Sequence, residues 1–290
     1  MAISSSDSKP FSGNRELVLL LFGLLTVLFM LTPWSGDDWG VYYGAAKRVT
    51  SGQPLYGTRI THAHDAYYYN PPWLAVALAP AALLPEKLGW AMLSAASLGA
   101  ALAVLSHWER APGVVKALLA LGNPAMLYII LHGQIDMLIV SSVLLPAAWW
   151  PLAALTKPQV AIGLLAVTPR RTWFRALSIL AGVVVVTVLL CGFWPLKLFA
   201  QPAPFAEATH NLWLGLWPYQ VPAGVALAAL AYQRRDARLA IAASPFLSPY
   251  AALSTLIGPW LALLPYLTRW QAVAVWASWW GAVLYRAIGG

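Results

Sequence analysis

The chain has 290 residues, 60% of them apolar, with 18 Lys+Arg against 10 Asp+Glu and a net charge of +8. A soluble domain carries about 25% charged residues, whereas this one carries 10%. Together with 16 Trp and 22 Pro and a mean hydropathy of +0.66, that excludes a soluble globular enzyme, a disordered tail and a nucleic-acid binder. An all-α, polytopic membrane protein remains.

The positive charge is clustered between apolar runs, at Arg170, Arg171 and Arg175 and again at Arg234, Arg235 and Arg238. Such clusters mark the cytoplasmic ends of spans. The single cysteine, Cys191, excludes an internal disulfide.

In chain order, residues 1–14 read as a disordered cytoplasmic N-terminus, and 15–290 as a single integral membrane domain. Leu17 to Leu31 is apolar and has no small-x-small cleavage site after it, so it reads as a signal anchor. Residues 34–70 form a long polar loop, extracytoplasmic if the N-terminus is inside. Within it Asp38 to Val49 predicts a short amphipathic helix, with Gly52 as its stop and Pro54 beyond. Tyr67, Tyr68 and Tyr69 close the loop at the interfacial height aromatic residues prefer.

Apolar segments follow at about 71–85, 88–106, 114–131, 135–150, 152–168, 174–194, 218–233, 238–252, 253–267 and 270–288. Several are shorter than the roughly 20 residues a bilayer needs. Prolines at 80, 124, 146, 158, 245, 249, 259 and 265 predict broken or re-entrant pieces. The expectation is about ten transmembrane helices. A second polar loop, 195–217, lies on the same face as the first by parity. The side of Gly133 to Asp136 depends on whether one early segment is re-entrant.

Acidic residues are few enough to eliminate singly. Asp7 and Glu16 belong to the N-terminal end, while Glu86, Glu109 and Asp236 adjoin cations at loops. Asp37, Asp38 and Asp65 in the first loop, Glu207 in the second and Asp136 remain. Asp38 shares a helix face with Tyr42, while Trp39, Tyr43 and Lys47 line the neighbouring face. A carboxylate beside tyrosines can take a proton from a sugar hydroxyl; the same Asp also suits a helix N-cap, and Asp37 could be that cap instead.

Lys157 is a cation inside apolar surroundings, in Leu155-Thr156-Lys157-Pro158-Gln159. An ammonium there costs several kcal/mol, roughly 2.5–3.5 on insertion scales, which marks a functional position; a snorkelling lysine is the alternative. His132-Gly133-Gln134-Ile135-Asp136 places three polar side chains between apolar helices, as an interfacial turn or as part of a site. A metal would need more convergent ligands than one His and one Asp. His62-x-His64-Asp65 has ligand-like spacing in a loop, and His210-Asn211 either faces the same site as Asp38 or is a solvated pair. Trp149-Trp150 and Trp279-Trp280 read as interfacial belts.

Several of these pieces occur in a recognisable order. Asp38-Trp39-Gly40-Val41-Tyr42-Tyr43 is followed by Gly52-Gln53-Pro54-Leu55-Tyr56 and Tyr69-Asn70-Pro71-Pro72. Asn123-Pro124, Gly133-Gln134, Lys157-Pro158-Gln159 and Arg170-Arg171 with Trp173 come next. Over about residues 35–175 this set resembles family 87 of the glycosyltransferases, polytopic GT-C enzymes related to mycobacterial lipid mannosyltransferases. The chain is a short example: the region around Trp149-Trp150-Pro151 is compressed. Ser248-Pro249-Tyr250 matches a later motif without its aromatic-and-His continuation, a place His210 would fill.

The resemblance implies a prokaryotic plasma-membrane enzyme that moves a hexose, mannose by family pattern, from a polyprenyl-phosphate donor to a lipid or glycan acceptor outside the cytoplasm. Asp38 would be the catalytic base and Lys157 the contact to the donor phosphate, with Gln134 and Gln159 nearby. Tyr42, Tyr43, Asp136 and His210 complete the expected substrate-binding set. No resident cofactor or metal is called for; a divalent cation is compatible but not indicated. Retention typically needs two closely placed carboxylates, and the neighbouring side chains of Asp37 and Asp38 diverge on a helix, so inversion is expected. A non-catalytic binder or translocator of lipid-linked sugars is the alternative. A small-solute transporter would show internal repeats, and none is legible.

Overall fold

A computed structural model describes residues 15–60, 66–201 and 210–288. Residues 1–14, the His62, His64 and Asp65 group, and Glu207 lie outside the described residues. Among those described the fold is all-α, with no strand.

The first helix, α1 (Arg15–Met30), has 16 residues. At 1.5 Å per residue that is about 24 Å, short of a ~30 Å hydrocarbon core. Its leucines are largely exposed, and Phe29 meets the edge of Trp90 at 5.7 Å between ring centroids. The amphipathic helix follows as α2 (Asp37–Thr50), within a residue of its expected bounds, and Gly52 beyond it takes φ 67°. Gly36, rather than either aspartate, is the N-cap residue. Asp37 and Asp38 occupy the first turn, where negative charge faces the positive end of the helix dipole.

Pro71-Pro72 opens the short α3 (Pro72–Ala77), and α4 (Glu86–Trp108) is the central helix, with α1, α5, α6 and α7 against it. Its buried side includes Gly89, Ala91, Ser94, Ala95, Ser97 and Ala101, small residues that let neighbouring backbones approach. Next come α5 (Val114–Leu121) and α6 (Pro124–His132), bent 45° relative to one another. The bend lies at Asn123-Pro124: Pro124 has no N–H to continue α5, and Asn123 caps α6 by accepting from Met126 N at 2.9 Å. Gly133, left-handed at φ 68°, ends α6.

Beyond it α7 (Asp136–Val140) and α8 (Trp150–Thr156) are linked by 3-10 turns around Pro146. Lys157-Pro158 separates α8 from α9 (Pro158–Ala161), and α10 (Leu164–Val167) follows. Helix α11 (Trp173–Cys191), in which Ala176 and Thr187 are the buried residues, follows the basic turn Arg170–Thr172. Then come α12 (Trp194–Phe199), α13 (Val221–Arg234), α14 (Ala237–Ala243), α15 (Ile257–Leu263) and α16 (Arg269–Ala287).

Two helices are long and apolar enough to cross a bilayer, Glu86–Trp108 and Arg170–Cys191, or three if the bent α5–α6 pair is one span. The remaining apolar segments are mostly divided into short α and 3-10 pieces, with breaks at or beside the prolines at 124, 146, 158, 245 and 265. Some aromatics expected at interfaces are internal: Tyr68 is fully buried and donates to Pro71 O at 3.1 Å.

Candidate functional site

Two left-handed glycines build the site. Gly36, before α2, and Gly133, after α6, both have positive φ and meet over the indole of Trp90. A Cβ on Gly133 would lie 2.5 Å from Trp39 Cβ and 3.0 Å from Trp90 Cδ1. Trp90 Nε1 donates to Ile130 O at 2.9 Å, and Trp39 Nε1 donates to Glu86 O at 2.8 Å. The first turn of α2 is thereby held against the end of α6, which brings Asp37 and Asp38 to His132 and Gln134.

The polar side chains at this junction form one network. Gln134 Nε2 donates to Asp38 Oδ2. Its Oε1 accepts from Lys157 Nζ at 2.6 Å and from the Tyr42 hydroxyl at 3.2 Å. Lys157 also donates to Asp136 Oδ2. Asp136 is fully buried, and its Oδ1 has no hydrogen-bond partner among the described residues. Asp38 is half-buried at the open end, whereas Lys157 is buried at 8% exposure. Lys157 is therefore an interior ion-pair member and does not snorkel. Pro158 interrupts the helix beside it, as the sequence predicts.

Burial raises the Asp38 carboxyl above its ordinary value; Lys157, His132 and the Gln134 hydrogen bond pull it back, while Asp37 pushes it further up. Burial likewise raises the Tyr42 hydroxyl well above the usual phenol value, so Tyr42 acts as a neutral donor.

Of the residues singled out from sequence, Asp38, Tyr42, Gln134, Asp136 and Lys157 thus converge. Tyr43 faces elsewhere: its hydroxyl donates to Leu84 O at 2.7 Å and Lys47 lies over its ring at 4.7 Å. Gln159 is half-buried in the first turn of α9, outside the hydrogen-bonded network. His210 is exposed and meets Tyr250 edge-on, with ring centroids 5.7 Å apart. Tyr250 itself lies within electrostatic range of Lys157, Asp136 and Asp38. Asn211 is buried and binds the 249–251 segment, donating to Pro249 O and accepting from Ala251 N, each at 3.1 Å. It is not a solvated loop residue.

One pairing was not legible in the sequence. His132 Nδ1 is hydrogen-bonded to Asp37 Oδ1 at 2.8 Å, and the His132 ring stacks on Tyr128 at 4.0 Å between centroids. One ligand atom from each of Asp37, Asp38 and His132 lies within 4.8 Å of the others. The Asp37–His132 pair is satisfied by itself, so the cluster needs no ion to account for it.

An apolar groove of about 680 Å³ is lined by none of the network's own side chains but reaches Thr156. Trp73, Leu138, Ile139, Leu152 and Thr156 form one wall, and the Ile179, Val183 and Val186 face of α11 forms the other. Trp73 Nε1 donates to Thr156 Oγ1 at 2.7 Å, and the next residue after Thr156 is Lys157. The chain matches no protein-family model, no curated protein and no solved structure.

Proposed function

We propose that this chain is a GT-C-like membrane glycosyltransferase, transferring a hexose from a polyprenyl-phosphate donor to a lipid or glycan acceptor on the extracytoplasmic face. The observation that carries the reading is an apolar groove whose lining reaches Thr156, one residue from Lys157, together with a charged network that ends at a half-buried carboxylate. A polyprenyl chain needs the first, and hydroxyl deprotonation needs the second. The likeness of the ordered motifs to family 87 supports the same reading, including about ten membrane crossings assembled from broken helices.

In this mechanism Asp38 accepts the proton of the acceptor hydroxyl while the sugar leaves its phosphate, with inversion. The Lys157 ammonium, after donating to Gln134 and Asp136, retains one hydrogen for a phosphate oxygen. Its positive charge is already offset by Asp136, so phosphate stabilisation by Lys157 alone is modest.

The test is a transfer assay in membranes with polyprenyl-phosphate mannose and a mixed glycolipid acceptor pool, run beside Asp38→Ala. Transfer by the natural chain and none by the variant is the expected result. Transfer by both removes Asp38 as the base. Donor binding without transfer, insensitive to Asp38, establishes the non-catalytic binder instead.

A further inference from the structure

Gln134 sits between α6 and α7 with 8% exposure, and its backbone N–H donates to Ile129 O at 2.9 Å. The orientation of its side-chain amide is dictated by its neighbours. An ammonium offers only donors and an ionised carboxylate only acceptors. The oxygen of Gln134 must therefore face Lys157, and the nitrogen must face Asp38. Reversal would set an NH₂ group against an ammonium and a carbonyl against a carboxylate. Tyr42 adds a second donor to the same oxygen. Behind Lys157, Asp136 fixes the ammonium in turn. A substrate ligand needs an open hydrogen-bonding edge, but the oxygen of Gln134 already accepts twice.

We infer that Gln134 is a positioning residue for Asp38: its amide nitrogen holds Oδ2 of that carboxylate and leaves Oδ1 turned free to receive the proton. The inference rests on the reading of Asp38 as base. In the reaction, Oδ1 takes the proton of the acceptor hydroxyl and that hydroxyl oxygen bonds to the anomeric carbon. The bond from that carbon to the phosphate oxygen breaks, and the lipid phosphate leaves with the electron pair. Gln134 gains and loses nothing; it keeps the carboxylate from rotating and favours its ionised form.

The groups facing Asp38 come from several elements. Asp37 and Tyr42 share its helix, His132 and Tyr128 lie on α6, Lys157 is at the α8–α9 break, and Tyr250 belongs to the segment after Ser248. Lys157, His132 and Gln134 favour the ionised form, and burial and Asp37 oppose it. Removing the amide donor therefore raises the proton affinity of Asp38.

The experiment is a pH titration of the purified full-length protein by difference infrared spectroscopy. The carboxylic C=O band of Asp38 is identified as the one absent in Asp38→Asn. Two variants are compared. Gln134→Leu removes the amide. Gln134→Glu keeps an acceptor for Lys157 and Tyr42 but replaces the donor nitrogen with oxygen, so it retains the buried contacts if Leu does not fold. The midpoint for Asp38 should rise by about one pH unit or more in either variant, a roughly tenfold gain in proton affinity. A midpoint that stays at that of the natural chain in a folded variant overturns the inference. The membrane transfer assay reports separately: full transfer by Asp38→Asn discards the glycosyltransferase base, whatever the titration shows. Loss of transfer in Asp38→Asn alongside an unmoved midpoint in the Gln134 variants keeps the base and discards its positioning.

Discussion

Asp136 and Lys157 are the residues whose energetics are most constrained. Their side chains are 0% and 9% exposed, and each is the charged partner of the other. Removing one member of such a pair leaves an uncompensated buried charge, which costs about 3–5 kcal/mol, whereas replacing both together is far less damaging. Asp136→Asn should therefore destabilise the detergent-solubilised protein by about that much, and Asp136→Asn with Lys157→Met should recover most of the loss. Chemical denaturation of the two variants checks this; equal losses in both would show that the pair is not coupled. The carboxyl of Asp38 carries a pH prediction with a definite sign. Its proton affinity is raised, chiefly by burial, and in the proposed mechanism it must be ionised to act as the base. Transfer should be constant at higher pH and fall as pH drops through a midpoint above the ordinary carboxylate value of 3.8, as read from the pH dependence of kcat/KM. That Lys157 needs a partner was legible in the sequence, because an ion in apolar surroundings must find one; that Asp136 fills this role, where a donor phosphate was expected, was not. Tyr43 and Gln159 were less so: whether they reach the network depends on the rotation of α2 and α9, which the helical period fixes only relative to other side chains.

At the scale of elements, the site depends on how α2 meets α6. Sequence pattern set the bounds of α2 almost to the residue, and Asn123-Pro124 and Lys157-Pro158 mark helix starts by local chemistry alone. The meeting of Asp37 with His132 was not legible, since it requires Gly36 and Gly133 to converge from distant parts of the chain. Neither glycine announces in sequence that its partner is the other. Gly133 is also where the packing is least forgiving: it has φ 68°, and a Cβ would press against Trp39 and Trp90. Left-handed backbone in a non-glycine residue costs about 1–2 kcal/mol, and the contact adds to this. Gly133→Ala should thus destabilise by at least about 2 kcal/mol and abolish transfer, because α2 and with it Asp38 must shift. Gly99, in the middle of α4, is the matched control: an alanine methyl there would have no neighbour within 4 Å. Gly99→Ala should be neutral or stabilising by up to about 1 kcal/mol. Thermal unfolding of both variants, with transfer measured in parallel, separates a local packing effect from general intolerance of alanine. A Gly133→Ala protein as stable and active as the natural chain would contradict the proposed junction.

For the whole molecule, the question is which way the network faces. Hydropathy alone predicted about ten crossings, yet two long apolar helices, or three, stand out. The difference arises because hydropathy counts apolar length, whereas proline decides where that length is cut. Orientation follows from charge. The basic turn at Arg170 and Arg171 precedes α11, and Arg234 and Arg235 close α13. The positive-inside rule predicts that both lie on the cytoplasmic side. On that prediction the segment that follows α11 lies on the opposite side; Gln201 in it donates to Tyr68 O at 2.8 Å and accepts from Gly57 N at 3.3 Å. These bonds tie the second polar loop to the first, so the loop that carries Asp38 shares its face. In a background with Cys191→Ser, Ser51→Cys samples the exposed end of α2 and Gln233→Cys the exposed end of α13. A membrane-impermeant maleimide applied to intact cells should label Ser51→Cys, and should label Gln233→Cys only after permeabilisation. The reverse pattern would turn the Asp38 network to the cytoplasm, where a lipid-linked donor presented on the outer leaflet could not reach it.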